Sequence, residues 1–149
     1  MLTFPSVEWF RELARLMNEH EEAFKRFGDA DVTWAVEVQP SAPGGQLRKF
    51  RLVFEGYGCT AVEEIEPDED AGIAFTLQAS FDTWKEMIEN IQANQGPDLH
   101  HTLNRLALMD DPIYIACQDF LDRDLFARYG QTYQLFFNGA VHIPTTFAA

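Results

Sequence analysis

The stretch Asp68-Glu-Asp-Ala-Gly-Ile-Ala-Phe-Thr-Leu-Gln-Ala-Ser-Phe-Asp-Thr-Trp-Lys-Glu-Met-Ile88 changes its hydrophobic period at Ser80. Before Ser80, Ile73, Phe75, Leu77 and Ala79 alternate with Ala74, Thr76 and Gln78, the period of two of a strand. After it, Trp84, Met87, Ile88 and Ile91 fall at helical spacing. A capping box from Thr83 to Glu86 is expected to open that helix. A strand running directly into an amphipathic helix is the unit from which an α+β domain is built.

Working toward the N-terminus, Val32, Trp34, Val36 and Val38 alternate with Thr33, Ala35 and Glu37, which predicts a half-buried strand. The turn formers Pro40-Ser-Ala-Pro-Gly-Gly45 connect it to Phe50, Leu52 and Phe54, which alternate with Lys49, Arg51, Val53 and Glu55, so the pair reads as an antiparallel hairpin. A third strand is expected from Cys59 to about Ile65. With the strand before Ser80 these four read as a meander. Ahead of them, Ser6 is placed to cap a helix whose face is Val7, Phe10, Leu13, Ala14 and Met17, widened by Trp9 and Leu16. A shorter helical piece with Ala23, Phe24 and Phe27 ends at Gly28.

Toward the C-terminus, Asn94-Gln-Gly-Pro97 ends the helix, and another is expected to carry Leu99, Leu103 and Leu106. Ile113-Tyr-Ile-Ala-Cys117 reads as a fifth strand. A final helix is expected from about Asp119 to Asn138, with Phe126, Tyr129, Tyr133, Phe136 and Phe137 on one face and Gly139 at its end. The tail Val141-His-Ile-Pro-Thr-Thr-Phe147 is apolar enough to lie back on the body. The expected fold is thus α+β, a five-stranded and mainly antiparallel sheet covered on one face by helices, in a single domain over residues 1–149.

The chain has 24 acidic against 11 basic residues, a formal charge of −13, which repels nucleic acid and anionic membrane surfaces. No secretory signal and no membrane-spanning run is read, so a soluble cytoplasmic protein without stable membrane insertion is expected. Cys59 and Cys117 lack a Cys-x-x-Cys partner and read as reduced, buried thiols.

Motifs for chemistry are sparse. Adjacent His100 and His101 diverge by about 100° on a helix and cannot easily share an ion, and neither His20 nor His142 belongs to a ligand pattern. The acidic turn Glu63 to Asp70 fails the EF-hand register, because Gly72 falls at the wrong loop position. There is no phosphate-binding loop and no Gly-x-Ser-x-Gly elbow. Asp119, Asp122 and Asp124 are acids at a helix start, where the dipole favours them. No catalytic residues, metal ligands or cofactor are therefore assigned.

The segment 68–88, with Ser80, Asp82 and Trp84 forming a Ser-x-Asp-x-Trp helix start, resembles the signature of the sterol carrier protein 2 family. The opening Phe4-Pro-Ser-Val-Glu-Trp9 and the closing Ile143-Pro-Thr-Thr-Phe147 resemble its stand-alone bacterial and archaeal members. The resemblance spans nearly the whole chain. It implies a five-stranded sheet and helices enclosing an apolar cavity for sterols, fatty acyl chains or isoprenoids, with no shared catalytic residues. Ala71-Gly72 and Asp111 to Asp119 depart from the family pattern beside the expected mouth, which leaves ligand identity open.

The expected cavity wall is Phe75, Leu77, Trp84, Met87, Met109, Phe126, Tyr129, Tyr133 and Phe136, with Tyr129, Tyr133 or Thr76 orienting the ligand's polar head. Each buried methylene contributes about 0.8 kcal/mol, so a twelve-carbon chain gains ~10 kcal/mol before ordering costs. Two other readings are a small isomerase or hydratase of hydrophobic substrates, using Asp119 or a tyrosine, and an accessory subunit of a larger complex. The apolar tail also leaves open a homodimer.

Overall fold

A computed structural model describes residues 1–148. Its elements in chain order are β1 (Leu2–Phe4), α1 (Val7–Glu19), α2 (Glu21–Lys25), β2 (Val32–Gln39), β3 (Arg48–Glu55), β4 (Gly58–Ile65), β5 (Phe75–Ser80), α3 (Phe81–Asn94), α4 (Leu103–Leu106), β6 (Tyr114–Ala116), α5 (Phe120–Arg128), α6 (Gly130–Asn138) and β7 (Thr145–Phe147). Five strands form one sheet in the order β4-β3-β2-β5-β6.

The expected α+β class and five-stranded sheet are present, but the meander is not. β5 crosses to the far side of β2 and pairs with it in parallel, Trp34 opposite Phe75 and Val36 opposite Leu77. The other three pairings in the sheet are antiparallel. Moving from β4 to β5 means passing three strand spacings, ~14 Å, well within the reach of segment 66–74. That segment runs over the sheet face opposite the helices and is clamped by Lys49, whose Nζ donates to Asp70 Oδ1 at 2.6 Å and to the Glu69 carbonyl at 3.0 Å. This cover is why β2 is buried on both faces and not half-buried, with Ala35 fully enclosed and Glu37 only 5% exposed.

The opposite face carries the core. Trp34, Phe54 and Phe75 from the sheet meet Tyr133, Phe136 and Phe137 of α6, and Phe10 of α1 packs on Phe50 with ring centroids 4.8 Å apart. Ser6 caps α1 as the sequence predicts, accepting from the Trp9 amide at 3.1 Å. The cap of α3 is Ser80, not Thr83: its Oγ accepts from the Thr83 amide at 3.1 Å. Trp84 Nε1 donates to the Glu37 carbonyl at 3.0 Å and fastens α3 to the central strand.

The final helix is two helices. Tyr129 leaves helical geometry (φ −108°, ψ 23°) and Gly130 starts α6, so the aromatic stripe turns a corner between Phe126 and Tyr133. Leu99 lies outside α4 and is exposed. The tail does return to the body: β7 pairs in parallel with β1, and Gln92 Nε2 donates to the carbonyls of Ala140 and Ile143 at 3.1 and 2.9 Å.

Candidate functional site

An apolar hollow of about 330 Å3 opens where α1, α2 and α6 converge. Leu13, Leu16 and Met17 of α1, Ala23 and Phe24 of α2, and Leu135 and Phe136 of α6 form its walls with Val141. The local sequence explains the gap. α1 stops at Glu19, where His20 turns its Nδ1 to the Leu16 carbonyl at 2.7 Å, and α2 leaves in a new direction. Gly139 at the end of α6 allows close approach to α1; a Cβ there would lie 3.1 Å from Leu13 Cδ2. His20, Gln95, Asn138 and His142 stand at the rim. Hydrocarbon on the walls and imidazole or amide groups at the mouth suit an amphiphile with one small polar end.

The nine residues expected to line a cavity do not surround this hollow. Only Phe136 is among its walls. Phe75, Leu77, Trp84, Met87, Phe126 and Tyr133 are core residues. Three of them pack on one another, Phe75 lying 5.5 Å from Tyr133 and 5.7 Å from Phe126, centroid to centroid, and Phe75 also borders the polar hollow on the other side of the sheet. Tyr129 is half-buried at the α5 to α6 corner, and Met109 is 88% exposed on a left-handed turn (φ 62°). Thr76 points to the other sheet face, where it lines a separate, polar hollow. Tyr133 is no free polar handle either, because its hydroxyl donates to the Leu125 carbonyl at 2.9 Å and burial pushes its pKa upward.

By sequence pattern Leu13, Leu16, Met17, Ala23, Phe24 and Phe136 all fall on helices, and of these only Phe136 is expected at a wall. The extra width that Leu16 gives the first helix was the available signal, since an apolar stripe wider than the sheet can cover has a second neighbour.

The acids considered for chemistry are caps and surface groups. Asp119 Oδ1 accepts from the Leu121 amide at 2.9 Å at the start of α5 and is exposed, while Asp122 and Asp124 lie farther along the same helix. His101 Nδ1 lies 2.7 Å from Asp98 Oδ1, which raises the histidine's pKa. Among the described residues no three His, Cys, Asp or Glu side chains gather as metal ligands, and no helix is long and apolar enough to cross a membrane. A larger hollow of about 490 Å3 beside Asn18, Glu21, Glu55, Tyr57 and Thr60 is polar-walled and offers little to a hydrocarbon.

No protein-family model and no curated protein matches the chain by sequence. Solved structures do match by shape. A crystal structure of sterol carrier protein 2 aligns with a TM-score of 0.66 at 20% identity, covering 92% of this chain and 96% of that one. The fold is that of sterol carrier protein 2. A conserved hypothetical protein from Thermus thermophilus, suggested to be a sterol carrier protein, aligns at a TM-score of 0.65 and 20% identity over 95% of this chain and 90% of its own. Sterol carrier protein 2 of Yarrowia lipolytica, in its apo form, gives 0.51 at 12% identity over 82% and 93%.

Proposed function

We propose that this chain is a carrier that binds a hydrophobic small molecule of the lipid class, without chemistry of its own, as a single cytoplasmic domain. The observation that carries the reading is an apolar hollow with a polar rim between helices of a sterol carrier protein 2 fold. Its volume of about 330 Å3 falls at the small end of ligand pockets, which suits one acyl or isoprenoid chain.

The chain would lie along Leu13, Leu16, Met17, Phe24, Leu135 and Phe136. A carboxyl or hydroxyl end would meet His20, Gln95, Asn138 or His142. Burial of methylenes at about 0.8 kcal/mol each supplies enough free energy for micromolar affinity after ordering costs.

Native mass spectrometry of gently purified protein, followed by organic extraction, tests this directly. The carrier reading expects a stoichiometric co-purified lipid, or a mass shift on adding one. A bare protein whose mass does not move with fatty acids, sterols or quinones would defeat it.

A further inference from the structure

We propose that the face of the sheet opposite the helices holds a second binding site, for a small organic cation bearing a primary ammonium group. A polar hollow of about 230 Å3 lies there between the strands and the crossing segment 66–74, and Glu37, Lys49, Asp70, Thr76, Gln78 and Cys117 border it. The register brings these groups together. Glu37 on β2 is flanked by Lys49 on β3 and Gln78 on β5, and Thr76 stands one row along, beside Ala35.

Glu37 is the group that points to a ligand. Its residue is only 5% exposed, yet among the described residues its carboxylate accepts only from neutral amides, Gln39 Nε2 at 3.1 Å and Gln78 Nε2 at 3.4 Å. An ionised carboxylate offers about four acceptor sites, and one that is buried strongly favours a cationic partner. Lys49, directly across the ladder, does not provide one. Its ammonium is directed to Asp70 Oδ1 and to the carbonyls of Glu69 and Pro67, at 2.6, 3.0 and 3.4 Å.

Thr76 is 4% exposed and borders the same hollow, so its hydroxyl offers a second acceptor on that wall. Formal charges at the border, Glu37 and Asp70 against Lys49, sum to a negative value, and the whole chain at −13 adds to the attraction for a cation. An ammonium has three donors and no acceptor, which matches a carboxylate, a hydroxyl and the Gln78 amide oxygen. The small volume limits the remainder of the molecule to a few heavy atoms against Ile73.

The site is independent of the apolar hollow, which lies across the sheet, so either can fail without the other. The test is amide NMR of 15N-labelled protein titrated with n-propylammonium chloride, with sodium propionate and sodium chloride as controls. Saturable shifts are expected at the amides of Glu37, Thr76, Gln78 and Cys117 in the low millimolar range, with none from propionate. Glu37→Gln should weaken the affinity at least tenfold and Thr76→Val several-fold, with the rest of the spectrum unchanged. Should Glu37→Gln not fold, Thr76→Val carries the comparison. Shifts that do not saturate, that sodium chloride reproduces, or that keep their affinity in the folded variants overturn the proposal.

Discussion

Phe126 and Tyr133 stack with their ring planes 5° apart and centroids separated by 5.8 Å, which locks α5 onto α6 across the corner at Tyr129. The Tyr133 hydroxyl completes the joint by donating to the Leu125 carbonyl on α5. Tyr133→Phe should keep the stack and lose only the hydrogen bond, lowering stability by about 1 kcal/mol in urea unfolding. Tyr133→Ala removes the ring from a site with no exposure and should cost ~3–5 kcal/mol. Equal effects of the two substitutions would show that the ring is not what joins the helices.

Lys49 holds the crossing segment against the sheet. Lys49→Met retains most of the side chain's volume but removes the donors to Asp70, Glu69 and Pro67, at a cost of about 2 kcal/mol. Hydrogen exchange should rise first at the Ala74 amide, which donates to the Thr33 carbonyl at 2.8 Å where the segment joins β5. Unchanged protection at Ala74 would mean that the segment is held by other contacts.

Much of the fold was legible because one period ruled each element. The alternations at Val32 to Val38 and Phe50 to Phe54 became β2 and β3, and the Ser6 cap and its helix appear as read. The topology was less legible, since nothing local in β5 says whether it joins β4 or crosses to β2. The crossing is accompanied by contacts distant in sequence, those of Lys49 and Arg51 with segment 66–74. The candidate site was least legible. Large aromatics at helical spacing are equally suited to lining space and to filling it, and here Trp34 and Phe54, which the strand pattern placed inside, fill it together with Tyr133.

The Asp98–His101 pair sets a pH dependence. The hydrogen bond from His101 holds the Asp98 carboxyl down at about 2, and Asp98 raises the His101 imidazole above its ordinary 6.5. The histidine's contribution is full below pH 6.5 and fades as pH rises through its elevated pKa. The carboxylate's contribution is present above its ordinary 3.8 and fades as pH falls toward 2. The pair thus favours the folded state most between about pH 4 and 6.5. An NMR titration of the His101 ring should show the raised pKa in the native chain and its return toward 6.5 in Asp98→Asn. A histidine pKa unmoved by that substitution would contradict the pairing.

Thiol reactivity should separate the two cysteines. Burial pushes the Cys59 thiol up to about 11, and that residue is 4% exposed, whereas Cys117 is half-buried beside the polar hollow. With a disulfide reagent at about pH 8, Cys117 should react in the native state and Cys59 only on unfolding. Peptide mapping of the modified sites reads this out, and rapid labelling of Cys59 in folded protein would be the contrary result.

The most direct test of the carrier reading is a fluorescence titration with a dansyl-labelled undecanoic acid, comparing the native chain with Ala23→Trp. Ala23 is exposed at the wall of the apolar hollow, so an indole there would fill the space without disturbing the core. Saturable one-to-one binding to the native chain is expected, with its loss in the variant at an unchanged melting temperature. Absence of binding to the native chain, or equal binding to both proteins, would contradict the carrier reading.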